Sequence, residues 1–385
     1  MEIYFDNSAT TRCFESVRDI VVRTMMEDYG NPSSMHQKGV EAENYIKEAT
    51  SIVTKTMKVQ EGEIYFTSGG TESNNWALIG GALANQRAGK HIITTNIEHP
   101  AGSEPLRFLE ERGFRITRLG VDAEGLISLK ELEDALDEET ILVSTVYVNN
   151  EIGAVQPVEK IAALIHEKCP GALYHVDAIQ AFGKYNIYPK RMGIDLLSAS
   201  GHKIHGPKGV GLFYMDKNAK VLPIIYGGGQ QRGMRAGTDN VPGIAGFGQA
   251  VKECYTDRND KNQKLYQLRE YMIERLSQLE NVVIHGSMDR DKSAPHIINA
   301  SFVGAGSEVL LHALESKGIY VSAGSACSTH KRSKSPTLTA VGAKAEEMDS
   351  AVRFSFCEEN TKEEVDTTIG VLEQILPMLR KYRAH

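Results

Sequence analysis

Short apolar segments alternate with segments of helical periodicity over residues 60 to 215. The clearest strand-type segments are Ile64–Phe66, His91–Thr95, Ile141–Val148, Leu173–Val176 and Val210–Tyr214. Between them, stretches such as Val158–Ile165 repeat apolar residues at the spacing of one helix face. This alternation predicts an α/β fold with a mostly parallel central sheet covered by helices on both faces. Ligands of such sheets bind beyond the carboxyl ends of the strands, so polar residues that directly follow a strand are the candidates for function.

The pattern changes at a glycine-rich segment, residues 227–238. A long helical region follows over residues 239–280, with a polar interruption at 257–262, and an amphipathic helix is predicted at 362–380. We expect two domains, because 385 residues exceed what one hydrophobic core usually organises. The predicted large domain covers residues 15–255. The predicted small α+β domain combines residues 1–14 with 256–385.

Composition narrows the class of protein without identifying it. The chain is 41% apolar and 24% charged, and its net charge of −7 gives no electrostatic case for nucleic acid or an anionic membrane. Without a membrane-length apolar run or a signal segment, the expected location is the cytoplasm. The five cysteines are scattered and form no Cys-x-x-Cys pair, so neither a disulfide framework nor a metal site is predicted.

The most informative residue is Lys203, which closely follows the apolar segment Asp195–Ser200. A buried lysine amine can lose its proton and attack a carbonyl. Asp177 follows an earlier strand, where a carboxylate can keep a pyridine nitrogen protonated so that the ring accepts electrons. The alternative for Asp177 is a cap of the next helix. Together the two residues predict a site for pyridoxal 5′-phosphate (PLP), with Lys203 as the Schiff-base lysine.

A turn rich in glycine and hydroxyl side chains, Thr67–Asn74, follows the strand that ends at Phe66. Backbone N–H groups at a strand-to-helix turn bind anions, and the helix N-terminus favours negative charge. Ser200 and His202 add two donors beside the candidate lysine, so we expect a phosphate here. The alternative is an ordinary helix cap within the turn.

Four more polar residues follow predicted strands. His99 can stack on the PLP ring and move protons near neutral pH, although a loop histidine without a function is the alternative. Gln180 is expected to reach the ring hydroxyl. Asn149 and Asn150 either form a turn or donate to the ring oxygen.

Cys327 lies in a small, polar segment, Ser322–Pro336, beside the basic run His330–Lys334. Basic neighbours favour the thiolate, which is the nucleophilic form of cysteine. A bystander surface thiol is the alternative, but the PLP site upstream supplies an electrophile for a nucleophile. Arg353, in an alternating strand segment, either grips a substrate carboxylate with two hydrogen bonds or forms a salt bridge.

In their order along the chain, these segments resemble the NifS/IscS-type cysteine desulfurases, which are class V aminotransferases and fold-type I PLP enzymes. The resemblance runs nearly end to end. The segments that carry it are Tyr4–Thr10, Tyr29–Ser33, Thr67–Ser73, Val148–Gly153, His175–Gln180, Ser200–Lys203, Arg232–Thr238, Gly324–Cys327 and Val352–Ser355. Any one segment can match by chance, but together they are highly specific.

The resemblance implies a role for each candidate. Lys203 would bind PLP covalently, Cys327 would be the nucleophile, and His99 would stack on the ring and share the proton transfers. The other implied cofactor contacts are Gly70, Thr71, Asn150, Asp177, Gln180, Ser200 and His202. The substrate contacts would be Arg353 and Asn149. Thr238 would reach the phosphate of the neighbouring subunit, which makes the expected enzyme a homodimer.

The implied activity is the removal of sulfur from L-cysteine, leaving L-alanine and a persulfide on Cys327. The sulfur would pass to an acceptor protein, such as an iron–sulfur scaffold or a tRNA-thiolation enzyme. The alternatives are a selenocysteine lyase, an aminotransferase, and a catalytically silent scaffold with the same fold. Cys327 argues against the aminotransferase, and the presence of Lys203 and Asp177 argues against the scaffold. The basic run His330–Lys334 differs from the best-known housekeeping members and leaves the acceptor open.

Overall fold

The structure, a computed structural model, describes residues 2–323 and 335–383. The strands in this part of the chain are β1 (Ile3–Tyr4), β2 (Ile64–Thr67), β3 (His91–Thr95), β4 (Arg115–Leu119), β5 (Thr140–Val146), β6 (Leu173–Asp177), β7 (Leu196–Ser200), β8 (Gly211–Met215), β9 (Val282–His285), β10 (Ile297–Phe302), β11 (Ile319–Tyr320), β12 (Ser322–Ala323) and β13 (Ala351–Ser355).

The helices of the same ranges are α1 (Glu15–Met26), α2 (Gln37–Met57), α3 (Gly70–Asn75), α4 (Gly81–Asn85), α5 (Pro100–Glu110), α6 (Leu129–Ala135), α7 (Val158–Lys168), α8 (Pro189–Met192), α9 (Val241–Tyr255), α10 (Arg258–Ser277), α11 (Ser307–Glu315), α12 (Pro336–Ala340), α13 (Ala345–Met348) and α14 (Lys362–Arg383). A π-helical turn, Trp76–Gly80, joins α3 to α4 in one helical run.

A seven-stranded sheet in the order β2-β8-β7-β6-β5-β3-β4 forms the centre of the molecule. Within this sheet, the pairs formed by β4, β3, β5, β6 and β7 are all parallel. β8 runs antiparallel to both of its neighbours, β2 and β7. The middle strands β5, β6 and β7 are fully buried, because helices cover both faces of the sheet and exclude water from them. The prediction of an α/β fold with a mostly parallel central sheet is confirmed.

Successive strand residues of this sheet serve two different cores. Tyr174, Leu197 and Tyr214 pack with α7 and α9 on one face. Their chain neighbours Leu173, Leu196 and Phe213 pack on the other face, around Trp76. This is the two-residue period of a strand whose two faces are both covered.

A second, antiparallel sheet, β12-β13-β10-β9, is built from the C-terminal part of the chain. Its core contains Phe302 and Phe354 together with residues of α10, α11 and α14. Phe5 lies in the same core, and β1 pairs with β11, so the first residues of the chain pack with the last third. The predicted boundaries at 14/15 and 255/256 stay a prediction, which this packing supports.

The helical region expected over residues 239–280 consists of two helices, and the break between them falls at the start of the predicted polar interruption. α9 ends at Tyr255, and Asp257 adopts a left-handed conformation with φ of 49° before α10 begins at Arg258. The polar residues 258–262 form the first turns of α10, so they start a helix and do not interrupt one. The helix predicted at 362–380 is present as α14. No helix in the described ranges has both the length and the apolarity that a membrane crossing requires.

Candidate active site

A cavity of about 560 Å³ opens at the carboxyl ends of the parallel strands, on the side where β12 and β13 approach the central sheet. Such a volume is typical of a site for a cofactor-sized ligand. Ten of the predicted site residues line it, namely Gly70, Thr71, His99, Asn150, Asp177, Gln180, Ser200, His202, Lys203 and Arg353. The structure therefore brings together residues that lie up to 283 positions apart in the chain (353 − 70).

Lys203 ends a short helical turn directly after β7. Its Nζ donates hydrogen bonds to the backbone carbonyl oxygens of Ser8, at 2.5 Å, and Ala9, at 2.7 Å. Both carbonyls belong to the N-terminal segment that follows β1. The amine is thus held at the wall of the cavity by residues from the far end of the chain.

Asp177 is the last residue of β6 and its side chain is buried. Its Oδ1 accepts from the backbone N–H of Ile179 at 3.0 Å, and its Oδ2 accepts from Nδ2 of Asn74 at 2.7 Å. Burial raises the pKa of Asp177, and these two hydrogen bonds oppose the rise. Because both donors are neutral, they do not cancel the negative charge of the carboxylate, which can still bind a cationic ligand.

The turn between β2 and α3 packs closely against the segment that follows β6. A Cβ on Gly70 would lie 2.2 Å from Cδ1 of Ile179, so a larger residue would have to displace the Ile179 side chain. With glycine at position 70, the N-terminus of α3 lies on the same side of the cavity as Asp177. Backbone N–H groups at such a helix start are suited to an anion.

His202 and Ser200 stand beside this turn on the cavity wall. Burial, with the charges of Lys203 and Lys208, lowers the pKa of His202 to about 4. Nδ1 of His202 lies 3.3 Å from Oγ1 of Thr10. In this setting His202 is a neutral hydrogen-bonding group.

His99 caps the N-terminus of α5. Its Nδ1 accepts from the backbone N–H of Ala101 at 3.1 Å, so the neutral ring carries its proton on Nε2. Burial lowers the pKa of His99, while the charge of Asp177 opposes this effect. The imidazole is therefore anchored through Nδ1 at the cavity, and no hydrogen bond to a described residue uses its Nε2–H.

For Arg353 the structure shows the salt bridge, and the grip on a substrate carboxylate stays a prediction. Its Nη2 donates to Oδ1 of Asp6 at 2.9 Å in a salt bridge, and its Nη1 donates to the backbone oxygen of Asn150 at 2.7 Å. The same guanidinium lines the cavity. Its Nε is buried and has no partner among the described residues, so the group keeps an unused donor.

Gln180 is fixed from two sides. Its Nε2 donates to the backbone oxygen of Ser8 at 3.0 Å, and its Oε1 lies 3.3 Å from Nε2 of the buried His296. The carbonyl of Ser8 therefore accepts from both Gln180 and Lys203.

Two of the predicted site residues in the described part of the chain, Asn149 and Thr238, are not among those that line this cavity. Asn149 is fully buried, and its amide donates to Ile97 and Thr337 while its Oδ1 accepts from the backbone of residues 151 and 152. These bonds give Asn149 a structural role, and its predicted substrate contact stays a prediction. Thr238 is exposed on the surface, away from the cavity of its own chain. Cys327 and the run His330–Lys334 lie outside the described residues.

The sequence analysis missed three residues beside the site, Asn74, Glu98 and His296. Asn74 lies within the predicted phosphate turn, and Glu98 directly precedes His99, so both follow strands as the predicted residues do. Their buried partners are visible only in three dimensions. His296 directly precedes β10 and carries no sequence signal that separates it from a core histidine.

Comparison with known proteins agrees with this geometry. The family model described as aminotransferase class-V matches residues 3–368. A cysteine desulfurase IscS from Clostridium botulinum is 39% identical over 99% of this chain and 96% of its own length. A cysteine desulfurase IscS from Methanosarcina thermophila is 41% identical over 98% of this chain and 93% of its own. A solved structure titled NifS-like protein superimposes with a TM-score of 0.93, at 38% identity, covering 98% of this chain and all (100%) of the other.

The fold and the cavity define an enzyme of the aminotransferase class-V type, and the chain belongs to that family. Its place within the family is among the NifS/IscS-type cysteine desulfurases, which confirms the resemblance found in the sequence.

Asn74 provides a test of the site's geometry. Replacing Asn74 by alanine removes a hydrogen bond to a buried carboxylate, which is worth roughly 1.5–3 kcal/mol. We expect Asn74→Ala to weaken PLP binding by about tenfold or more, measured by titrating the cofactor-free protein and following the visible absorbance of bound PLP. Asn75→Ala is the control, because that amide bonds only the carbonyl of Thr71 in its own helix. Equal PLP affinity in the two variants would contradict the role of Asn74.

Proposed function

We propose that this protein removes sulfur from L-cysteine to form L-alanine and a persulfide on Cys327, with PLP as cofactor. One observation carries the proposal. An amine at the end of β7, a buried carboxylate at the end of β6 and a glycine turn at the start of α3 open on one cavity, and Arg353 stands at its wall.

The donors of this cavity fit PLP. Lys203 would hold the aldehyde carbon, Asp177 the ring nitrogen, and Asn150 with Gln180 the ring hydroxyl. The turn at Gly70 and Thr71, with Ser200 and His202, would hold the phosphate, because the backbone N–H groups at the start of this helical run are suited to an anion. When bound, PLP supplies an electron sink for the carbanion formed at the substrate α-carbon.

The chain's own residues supply binding and proton transfer. The guanidinium of Arg353 binds the substrate carboxylate, and its bond to Asp6 keeps it from turning away. The amine of Lys203, once released, removes the α-proton, and Nε2–H of His99 lies on the same cavity for the later proton transfers.

The transfer of sulfur to Cys327 needs no reactant other than L-cysteine and the Cys327 thiol. The thiolate of Cys327 attacks the substrate sulfur, one S–S bond forms and one C–S bond breaks. The methyl group of alanine gains the proton that the thiol gave up. The persulfide sulfur then passes to an acceptor protein, for which an iron–sulfur scaffold and a tRNA-thiolation enzyme are the candidates.

The Cys327→Ser variant tests the sulfur step. We expect it to bind PLP and L-cysteine but to form no persulfide and to release alanine more than a hundredfold more slowly, an order of magnitude typical of losing a nucleophile. Alanine release and protein-bound persulfide are measured together. Cys13→Ser is the matched control, because Cys13 is an exposed free thiol on another part of the chain. Wild-type persulfide formation in Cys327→Ser would show that Cys327 is a bystander.

We further propose that the enzyme is a homodimer, with Thr238 contributing to the partner's phosphate site. The outer face of α1 supports this proposal, because Val22, Met25 and Met26 lie at helical spacing and are largely exposed, and Tyr29 continues the same stripe at 70% exposure. Contiguous apolar surface of this kind usually marks a protein interface. Tyr226, 78% exposed, lies in the segment that leads to Thr238.

Charge placed on this stripe should separate the subunits. We expect the double variant Met25→Glu/Met26→Glu to lower the measured mass in light scattering from a dimer towards a monomer, with a matching loss of PLP. Val309→Glu is the control, since Val309 is also largely exposed, on α11. A wild-type protein that is monomeric at micromolar concentration would contradict the dimer.

A further inference from the structure

Glu98 lines the cofactor cavity, and the mechanism above does not use it. It lies between β3 and α5. Its Oε1 accepts two hydrogen bonds, from Oγ1 of Thr95 at 2.6 Å and from the backbone N–H of Val146 at 3.0 Å. Within the described part of the chain, its Oε2 has no hydrogen-bond partner, and the residue borders the cavity.

This one-sided pattern is typical of a neutral carboxylic acid. The carbonyl oxygen of the acid accepts, and the hydroxyl oxygen keeps a proton that it can donate. Glu98 is half-buried and borders the cavity, so an anion there would need donors at both oxygens once a ligand displaces the water of the cavity.

A second carboxyl group lies close by. Val146, whose N–H binds Glu98, is the cross-strand register partner of Asp177. Neighbouring parallel strands are about 4.8 Å apart, so both carboxyl groups belong to the same wall. Two ionised carboxylates in one buried site repel each other, and one of them retains its proton.

We propose that Glu98 is a positioning residue that works as a neutral acid, with its Oε2–H facing the cofactor, so that Asp177 alone carries the negative charge of this wall. The proposal rests on PLP being the cofactor. It adds a requirement for a proton on Glu98 during cofactor binding.

The electrostatics of the site agree with the geometry. Burial, with a contribution from the charge of Asp177, raises the pKa of Glu98 to about 8, although the hydrogen bonds from Thr95 and Val146 oppose the rise. A raised pKa means that Glu98 is neutral below about pH 8 and charged above it. PLP would displace water from the cavity and disfavour the charged form further. Cofactor affinity should therefore fall as the pH rises through this pKa.

Other groups at the cavity also titrate or carry charge. They are Asp6, His99, Glu151, Asp177, His202, Lys203 and Arg353, all on the cavity lining. Tyr174, in the core behind β6, also interacts electrostatically with Glu98. All of them remain in a Glu98 variant, so a difference between variant and wild type isolates Glu98.

Glu98→Gln is the decisive variant, because an amide has the shape of the neutral acid and cannot ionise. PLP affinity of the cofactor-free protein is measured at pH 7 and pH 9, with Glu104→Gln, an exposed residue of α5, as the control. We expect equal affinities at pH 7. At pH 9 we expect Glu98→Gln to bind PLP about tenfold more tightly than wild type and the control, one factor of ten per pH unit above the pKa. Identical pH profiles in variant and wild type would overturn the proposal, and so would loss of binding in Glu98→Gln at pH 7.

If Glu98→Gln does not fold, a second measurement tests the proposal on a protein that keeps Glu98. Infrared difference spectra of the cofactor-free Glu151→Gln protein with ¹³C-labelled glutamate should show a neutral glutamic acid at pH 7 that disappears at pH 10. Absence of this band at pH 7 would overturn the proposal. A protein that binds no PLP at pH 7 would refute the proposed function instead, while the infrared measurement would still report the proton on Glu98.

Discussion

The site depends on the parallel register of β5, β6 and β7. Val146 pairs with Asp177, and Asp177 pairs with Ser198, so the three strands end at one edge of the sheet and the residues that follow them gather there. A slip of one residue would turn Asp177 to the opposite face of the sheet and remove it from the cavity. The two hydrophobic cores on the faces of the sheet prevent such a slip, because they alternate with the same period.

The N-terminal segment connects the two sides of the site. Ser8 and Ala9 accept from Lys203, while Asp6 binds Arg353 on the second sheet. The same segment packs its Phe5 into the core of that sheet. A few residues from the start of the chain thus set the distance between the lysine and the arginine, the residues assigned to cofactor and substrate.

The sequence predicted most of the architecture and ten of the cavity residues, since strand-to-loop junctions are readable from apolar runs and parallel strands gather them at one edge. It could not separate Asn149 from Asn150, because both follow β5 and only the fold shows that Asn149 is the buried one. Glu98 could not be predicted for a related reason. A glutamate before a histidine indicates no role in the sequence, and only the fold places it beside Val146 and Asp177. The break between α9 and α10 needs a left-handed Asp257, which helical periodicity does not reveal.

The central claim is that Lys203 holds PLP at this cavity. The most direct measurement is borohydride reduction of the PLP-loaded protein, followed by peptide mass spectrometry. The account predicts one pyridoxyl group per chain, on Lys203. A pyridoxyl group on another lysine, or none on the peptide that contains Lys203, would contradict it.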